Sequence, residues 1–295
     1  GLPDPFFLDT DITATLTGFY NYREEPSFTR EDLGAAISLS KKLSANLLST
    51  LGYMYRTTDI SDVDVFTELS EGSFNYASVK GQLTYDTRND LFFPTSGQRI
   101  FGAAEHADEF LGSDLNLTRL TGGARLFISL ARGTVLGARY TTGIIIPGRD
   151  EAALPLSEKF FNGGENTVRS FEESELGPKD PAGNPIGGYG FNVFNLELRH
   201  RLIGNLIGSV FVDYGNVAPN RSRIERGLQP YDSRSDVISD TLDDFFKEFR
   251  PGIGCGLQYL LPVGPARVDF AYNPDRDDAR DEDSYVVHLS IGTAF

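Results

Sequence analysis

The segment FNVFNLELRHRLIGNLIGSVFVDYGNV, residues 191–217, decides the fold of this chain. From residue 194 to residue 198 every second side chain is apolar, and the side chains between and beside them are polar or charged: Asn195, Glu197 and Arg199. A period of two residues is that of a β-strand, whose successive side chains point to opposite faces. The alternation resumes after a short turn at Ile203–Leu206. The segment therefore predicts an antiparallel hairpin with one apolar face and one charged face.

The same alternation extends over most of the chain, whereas helical periodicity is confined to 238–248. We predict an all-β fold of about twelve antiparallel strands with roughly 9 to 14 residues each, the length with which a tilted strand crosses a bilayer. They lie at 11–22, 33–40, 47–56, 75–87, 97–107, 116–130, 134–146, 191–202, 206–217, 250–260, 265–273 and 284–295.

Composition limits the function more than it limits the fold. A hydrophobic fraction of 40% suits both a soluble β-rich domain and a barrel with a polar lumen, because strands average their two faces. The formal net charge of −15 argues against nucleic acid as a partner, since phosphate binding needs a basic face. Cys255 is the single cysteine, so an internal disulfide is excluded.

The face of the strands opposite to the apolar residues is rich in charge. If the apolar residues face outward, this second face lines a lumen, as in a transmembrane barrel. In a soluble sandwich the same face would meet bulk water, and one strand alone does not separate the two cases. The inward set is Lys80, Gln82, Arg99, Glu105, Arg119, Arg125, Arg139, Glu197, Arg199, Asp213, Arg250, Gln258, Arg267 and Asp269.

The lengths of the connections favour the transmembrane barrel. Short turns are predicted at Lys41–Asn46, Ala131–Thr134, Ile203–Leu206 and Leu261–Pro265, with a somewhat longer one at 86–97. Between them lie longer, acidic connections rich in Gly, Pro, Asp and Asn: 23–30, 57–74, 147–190, 218–249 and 274–283. Short turns on one side and long loops on the other are typical of outer-membrane barrels.

Four stretches resemble the bacterial surface-antigen barrel of the outer-membrane protein assembly factors, the BamA/TamA-like group, which is related to the transporters of two-partner secretion. They are YDTRNDLFFPTSGQRI (85–100), FFNGGENTVRSFEESELGPKDPAGNPIGG (160–188), NLELR with FVDYGNV (195–199 and 211–217), and HLSIGTAF (288–295). The four occur in the order that the family has. Together they cover nearly the whole chain but not the whole family barrel.

The resemblance implies a barrel of sixteen strands, eleven of them before the long loop. Only about seven precede the loop here, so we expect residues 1–295 to be the C-terminal part of such a barrel domain. The first strands and the POTRA domains would then be absent from this chain. A complete twelve-stranded barrel is the alternative, since it is even-numbered.

The resemblance also implies that the long loop, 147–190, folds into the lumen and that Arg169 meets Glu197 and Asp213 there. We call these three residues the loop lock. Parity supports the pairing independently, because both carboxylates fall on the inward face of neighbouring strands and could hold one guanidinium. Ser170 stands where the family usually has a glycine, which can take a positive φ that serine adopts only with strain, so the loop tip is expected to bend somewhat differently. The loop motif comprises Gly163, Gly164, Val168, Ser170, Phe171, Gly177 and Pro178.

The terminal strand is the second candidate site. Its outward residues alternate up to the last one, and such an aromatic end resembles the signal by which the assembly machinery recognises its clients. Gly292 matches the family's kink and would weaken the seam between the first and last strands. The alternative is that this is simply the last strand of any barrel. The residues concerned are Tyr285, Val287, Leu289, Ile291, Gly292 and Phe295.

The leading hypothesis is a non-enzymatic factor, integral to the Gram-negative outer membrane, that inserts or translocates other proteins. Its expected partners are outer-membrane lipid and lipopolysaccharide, unfolded outer-membrane or autotransporter clients, and accessory periplasmic or lipoprotein subunits. No cofactor and no metal is expected, because His106, His200 and His288 are far apart and assigned to the outward face. A two-partner secretion pore for a cognate exoprotein and a passive porin are the alternatives.

Overall fold

The computed structural model describes residues 2–4, 11–63, 72–148, 154–221, 227, 229, 231–261, 264–280 and 282–291, and gives side chains for all of these except 2–4 and 279. Their strands form one antiparallel sheet in which each strand pairs with its neighbours in chain order. The strands are β1 Leu2–Asp4, β2 Ile12–Glu25, β3 Phe28–Ser44, β4 Leu47–Ser61, β5 Gly72–Asp86, β6 Gly97–Ala107, β7 Leu117–Ala131, β8 Thr134–Pro147, β9 Gly190–Ile203, β10 Leu206–Ala218, β11 Arg250–Leu261, β12 Gly264–Tyr272 and β13 Tyr285–Ile291.

The twelve predicted strands are confirmed as β2 to β13. In addition, the three residues of β1 pair with residues 14–16 of β2, which the alternation did not indicate. Several strands are longer than predicted, and β3 reaches 17 residues. The predicted helical segment is α1, Arg234–Asp244, which begins four residues earlier than the periodicity placed it. Ser233 caps it by accepting a hydrogen bond from the Asp236 amide.

The predicted long connection at 23–30 is wrong. β2 continues to Glu25 and β3 begins at Phe28, so that only residues 26 and 27 form the turn. Charged residues suggested a loop, but here they extend the hairpin and contact the loop that follows β8: Arg23 Nη2 lies 3.1 Å from Glu173 Oε1. The predicted connection 57–74 is shortened at both ends by β4 and β5, and 64–71 lie outside the described residues.

The sheet has an apolar outer face and a charged inner face. Leu196 is 49% exposed, whereas Glu197 beside it is 1% exposed. The same inversion holds on β10, where Val212 is 41% exposed and Asp213 is fully buried. No helix among the described residues is long and apolar enough to cross a membrane. Most buried polar side chains of the strands face the lumen, and the exposed apolar side chains face away from it.

We call the loop between β8 and β9 the long loop (148–189). Its described residues from 154 to 189 pack against the inner face of the sheet. One apolar cluster joins Val168, Phe171 and Leu176 of the loop to Val217 of β10. A larger cluster joins the loop to α1 and to the wall strands: Tyr76, Ala107, Leu117, Ile145, Leu154, Tyr189 and Val237. The apolar core therefore lies between the long loop and those ends of the wall strands that are on the same side of the sheet as the loop.

Candidate functional site: a loop anchored in the lumen

A glycine turn brings the central part of the long loop to the wall. Gly163 has φ +109°, and a Cβ there would lie 2.2 Å from the Glu172 carbonyl oxygen, so no other residue fits. The Gly163 amide donates to Thr167 Oγ1 at 2.8 Å, and the Gly164 amide donates to the Phe171 carbonyl at 3.0 Å. These bonds close a compact turn with Arg169 inside it, directed at the inner face of the sheet.

The structure places Arg169 directly against Glu197 and Asp213. Its Nε and Nη2 donate to the two oxygens of Asp213 at 2.8 and 2.9 Å, which is a bidentate pair. Nη1 donates to Glu197 Oε2 at 2.7 Å and to Asp269 Oδ2 at 3.3 Å. All four side chains are at most 2% exposed. The sequence had placed Asp269 on the inward face but had not assigned it to the site.

Further contacts fix the orientation of the guanidinium. Its Cζ lies 3.3 Å from the centre of the Phe211 ring, a cation–π stack. The Arg169 amide itself donates to Asp213 Oδ2 at 3.1 Å. Asn195 Nδ2 donates both to Asp213 Oδ1 at 2.8 Å and to the Thr167 carbonyl at 2.6 Å. One amide side chain therefore connects the loop backbone to the carboxylate that binds the arginine.

Two further arginines of the wall pair with carboxylates of this site. Arg199 Nε lies 3.2 Å from Glu197 Oε1, and Arg267 Nε lies 2.9 Å from Asp269 Oδ2. Burial alone would lower the pKa of Arg169, a loop residue, but its bonds to Asp213 and the neighbouring carboxylates raise it, so the guanidinium stays charged. We call the whole set the buried charge cluster: Arg169, Arg199, Arg267, Glu197, Asp213 and Asp269.

The residues on either side of Arg169 fit into spaces left by wall glycines. A Cβ on Gly215 would lie 2.5 Å from Val168 Cγ2, and one on Gly252 would lie 2.6 Å from Ser170 Oγ. Ser170 Oγ donates to the Pro251 carbonyl at 3.0 Å. Ser170 does not take a positive φ, since the described non-glycine residues with positive φ are Asp62, Ser174 and Glu248.

The other residues of the loop motif shape the segment that follows. Phe171 is buried in the apolar cluster with Val168. Gly177 has φ +141°, and a Cβ there would lie 3.1 Å from Val217 Cβ, so a larger residue would push the loop off β10. The Pro178 carbonyl accepts from the Ile186 amide at 3.1 Å, which closes the end of the loop on itself.

A second buried residue anchors the long loop to the wall, and the sequence did not predict it. Here the loop supplies the carboxylate and the wall supplies the arginines. Glu158 of the long loop is 1% exposed and lies among arginines of the wall. Its Oε1 accepts from Arg56 Nη2 on β4. Arg119 Nη2 on β7 donates to Glu158 Oε2 at 3.2 Å and to its carbonyl at 2.8 Å. Arg30 Nη1 on β3 donates to the Ser157 carbonyl at 2.7 Å. The indication that the sequence offered was an acidic residue, Glu158, surrounded by apolar residues of the loop.

The two anchors attach one loop to two separate stretches of wall. Arg169 binds carboxylates on β9, β10 and β12, whereas Glu158 binds arginines on β4 and β7. Buried ions of this kind are costly unless paired and hydrogen-bonded, and here each is both. The arrangement can hold the loop across the lumen.

The terminal strand β13 presents the predicted residues outward. Tyr285 is 58% and Leu289 76% exposed, and Val287 and Ile291 lie on the same face. Gly292 and Phe295 lie outside the described residues. The outward assignment of His288 is wrong: it pairs with Asp269 across the strands, and its Nε2 lies 2.9 Å from the Arg169 carbonyl oxygen.

The remaining histidines lie on the outer face as predicted. His106 Nδ1 lies 3.0 Å from Thr118 Oγ1, and His200 Nδ1 lies 2.8 Å from Thr134 Oγ1. Within the described ranges, no group of three or more His, Cys, Asp and Glu residues is placed to hold a metal ion.

Comparison with known proteins identifies the family. The model of the Omp85 superfamily domain matches residues 2–295. The outer membrane protein assembly factor BamA of Nitratidesulfovibrio vulgaris is 24% identical over 302 residues, covering 99% of this chain and 35% of that protein. BamA of Neisseria meningitidis serogroup B is 26% identical over 245 residues, covering 78% of this chain and 30% of that protein. The chain thus spans about a third of the length of these relatives.

A solved structure shares the fold. The crystal structure of BamA from Haemophilus ducreyi lacking POTRA domains 1–3 superposes with a TM-score of 0.76, at 18% identity, over 98% of this chain and 59% of that chain. The outward apolar face described above is the face that such a barrel presents to lipid. The chain belongs to the Omp85 superfamily and is the β-barrel region of an integral outer-membrane protein of Gram-negative bacteria.

Proposed function

We propose that this barrel belongs to an assembly factor that inserts other β-barrel proteins into the outer membrane, with the long loop held in the lumen by Arg169. The observation that carries the proposal is the buried guanidinium bound to Asp213, Glu197 and Asp269. A loop fixed in this way keeps the wall strands around it in one arrangement. Client strands can then pair at the edge of the sheet without rearranging the interior.

The sheet edge supports the same proposal. Among the described residues, β13 pairs with β12 on one side, and its outward side chains are strongly exposed. Strand addition at such an edge gives affinity through main-chain hydrogen bonds and selectivity through alternate side chains. The clients would be unfolded outer-membrane or autotransporter proteins, and accessory subunits would deliver them. Lipid and lipopolysaccharide would surround the apolar outer face. No cofactor is required, because the folding of the client supplies the free energy.

The alternative functions require a different lumen. A passive porin needs an open channel, whereas here a loop attached to two stretches of wall crosses it. A two-partner secretion pore would have to break the buried charge cluster for each passage of an exoprotein. Breaking a buried pair by removing one partner costs roughly 3–5 kcal/mol. Neither alternative is favoured by a specific contact of the described residues.

The test replaces Arg169 by Met in the full-length protein, which leaves three buried carboxylates without their shared cation. Vesicles containing the protein receive an unfolded outer-membrane client, and its folding is followed by the shift of the folded form in unheated gels. We expect wild-type protein to accelerate client folding and Arg169→Met to approach protein-free vesicles. Asp269→Asn, which removes the longest of the three contacts, should give an intermediate rate.

Arg276→Met is the matched control, because this arginine lies in the connection between β12 and β13 and its side chain is 42% exposed. It should behave as wild type. Each variant must itself show the unheated-gel shift of a folded barrel. Client folding at the wild-type rate in a folded Arg169→Met protein would contradict the proposal.

A further inference from the structure

The outer face of the wall has a groove where two alanines stand among large side chains. Ala138 of β8 lies between Leu126 of β7 and Leu196 of β9 in register, and Ala124 of β7 lies opposite Tyr140 of β8. We call this groove the wall groove. Its volume is about 700 Å³, which is within the range of small-molecule sites, and it is lined almost entirely by apolar atoms.

Aromatic rings form one side of the wall groove. The rings of Tyr140 and Phe194 stack with their centres 4.3 Å apart. Phe249, from the connection that precedes β11, tilts against Phe194 with the ring centres 5.9 Å apart. The Tyr140 hydroxyl donates to Asn192 Oδ1 at 2.7 Å. The polar end of Tyr140 is thereby satisfied, and its ring is the part that lines the groove.

A segment of the chain covers the wall at the long-loop end of the groove. We call this segment, residues 245–249, the ledge; it follows α1. Asn192 Nδ2 of β9 donates to the Phe245 carbonyl at 2.6 Å, and Asn216 Nδ2 of β10 donates to the Lys247 carbonyl at 2.8 Å. Both asparagines belong to the outward-facing set of their strands, yet they are at most 1% exposed. The ledge therefore lies on the outer face and closes the groove at that end.

The open side of the wall groove faces lipid. Leu196 and Val212 beside it are 49% and 41% exposed, and the chain is the barrel region of an integral outer-membrane protein. The medium at this face is the hydrocarbon of the bilayer, not water. A concave apolar surface that stays unfilled loses dispersion contacts, and a flexible chain that enters it regains them. The groove thus favours a slender hydrocarbon over a polar ligand.

We infer that the wall groove is a binding site for one acyl chain of a bilayer lipid from the leaflet on the long-loop side. The two alanines make room for the chain, and the ledge limits how far it extends towards the water. The ledge region carries both signs of charge, with Lys247 Nζ 3.9 Å from Asp244 Oδ1, so the headgroup contributes little to selection. This site follows from the membrane location of the barrel and does not depend on the proposed assembly function.

The test adds a phosphatidylcholine with a spin label in its acyl chain to the full-length protein in detergent micelles. Electron paramagnetic resonance separates immobilised from mobile chains. We expect a saturable immobilised component of one lipid per barrel. Ala138→Leu and Ala124→Leu each place a larger side chain in the groove and should weaken this binding about tenfold, because the space for the chain is lost.

Ala35→Leu is the matched control, since Ala35 is an exposed residue on the outer face of β3 and does not line the groove. It adds the same volume and should bind lipid as the wild type does. Each variant must show the unheated-gel shift of a folded barrel. Equal immobilisation in the wild type and in folded Ala138→Leu and Ala124→Leu proteins would overturn the inference.

Unlabelled competitors identify what the groove recognises. Phosphatidylcholine and phosphatidylglycerol with the same chains should displace the labelled lipid equally, whereas glycerophosphocholine, the headgroup without chains, should not. Displacement by glycerophosphocholine, or by only one of the two phospholipids, would overturn the inference in favour of a headgroup site. Displacement by an apolar transmembrane peptide at a lower concentration than by lipid would overturn it in favour of a protein partner.

Lipid binding needs no client, so the two proposals fail separately. Immobilised lipid without accelerated client folding would count against the assembly function alone. Accelerated client folding without the immobilised component would count against the wall groove alone.

Discussion

Val168 and Ser170, on either side of Arg169, pack where the wall has glycine instead of a side chain. The contacts are with Gly215 and Gly252, at which a Cβ would come within 2.6 Å of the loop. Interiors packed at this density do not absorb an added group without moving a neighbour. The position of Arg169 therefore depends on two residues that carry no charge.

We predict that Gly215→Val displaces the loop and exposes the bond between Arg169 and Ser170 to trypsin. In the wild type this bond should resist cleavage, because Arg169 is 2% exposed. The fragments are identified by mass spectrometry after limited digestion of the folded protein. Gly102→Val is the control, since a Cβ at Gly102 meets nothing within 4 Å. A folded Gly215→Val protein that is as resistant as Gly102→Val would contradict the prediction.

The contacts of Arg169 divide into those that the sequence predicts and those that it does not. Glu197 and Asp213 lie on adjacent strands, so parity alone places them together. Asp269 lies on β12, two strands beyond β10, and its carboxylate occupies the space over Gly256 of β11, where a Cβ would lie 2.1 Å from Asp269 Oδ1. Glu158 lies in the loop, where no alternation along a strand predicts which way its side chain points. Its contacts depend on where the loop crosses the lumen.

At the scale of elements, the long loop is connected to β13 through His288. Its Nε2 lies 2.9 Å from the carbonyl oxygen of Arg169, the same residue whose side chain binds β9, β10 and β12. The terminal strand, which the proposed function assigns to client entry, is thus in contact with the loop backbone. A movement of β13 would be transmitted to Arg169 through this bond.

We expect His288→Ala to loosen the loop without releasing it. Loss of one hydrogen bond should raise the rate of tryptic cleavage after Arg169 by roughly two- to tenfold, far less than Gly215→Val. His106→Ala is the matched control, since His106 lies on the outer face and contacts only Thr118 among the polar groups described. If His106→Ala and His288→Ala cleave at the same rate, the contact between β13 and the loop contributes nothing.

Elements were predicted well where the determining pattern is local. The period of two is visible within any ten residues, and it correctly identified β2 to β13. It failed at 23–30, where charged residues form part of a hairpin because their partners, Glu173 and Ser174, belong to the long loop. The charged composition of 23–30 indicated exposure to solvent. The contact of these residues with the long loop is visible only in the folded structure.

For the whole molecule, the two anchors have complementary charge and different partners. Glu158 serves as the anion for Arg56 and Arg119, whereas Arg169 serves as the cation for three carboxylates. Because the two sets share no residue, each anchor should be breakable alone. The loop then has two attachments, and the free energy that one contributes does not depend on the other, although Glu158 and Arg169 lie close in sequence.

We predict that Glu158→Gln releases the attachment at Glu158 and leaves the attachment at Arg169 intact. Lys159 follows Glu158 directly, so cleavage after Lys159 reports on this anchor, and cleavage after Arg169 reports on the other. In Glu158→Gln, cleavage after Lys159 should increase while Arg169 stays protected, and Asp213→Asn combined with it should expose both cleavage sites. Glu109→Gln, on an exposed turn after β6, is the control. Release of both sites together in Glu158→Gln would show that the loop is one cooperative unit.

The strict chain order of the sheet has a consequence for the time course of folding. Each described strand pairs with the strand that precedes it in the chain, so hairpins can be added one at a time. The loops that close are short except at the long loop and between β10 and β11. The bond from Arg169 to Asp269 joins residues 100 positions apart and has to wait until β12 is in place. The buried charge cluster is therefore complete only when β12 is in register with β11, and its completion reports on the late pairing of these strands.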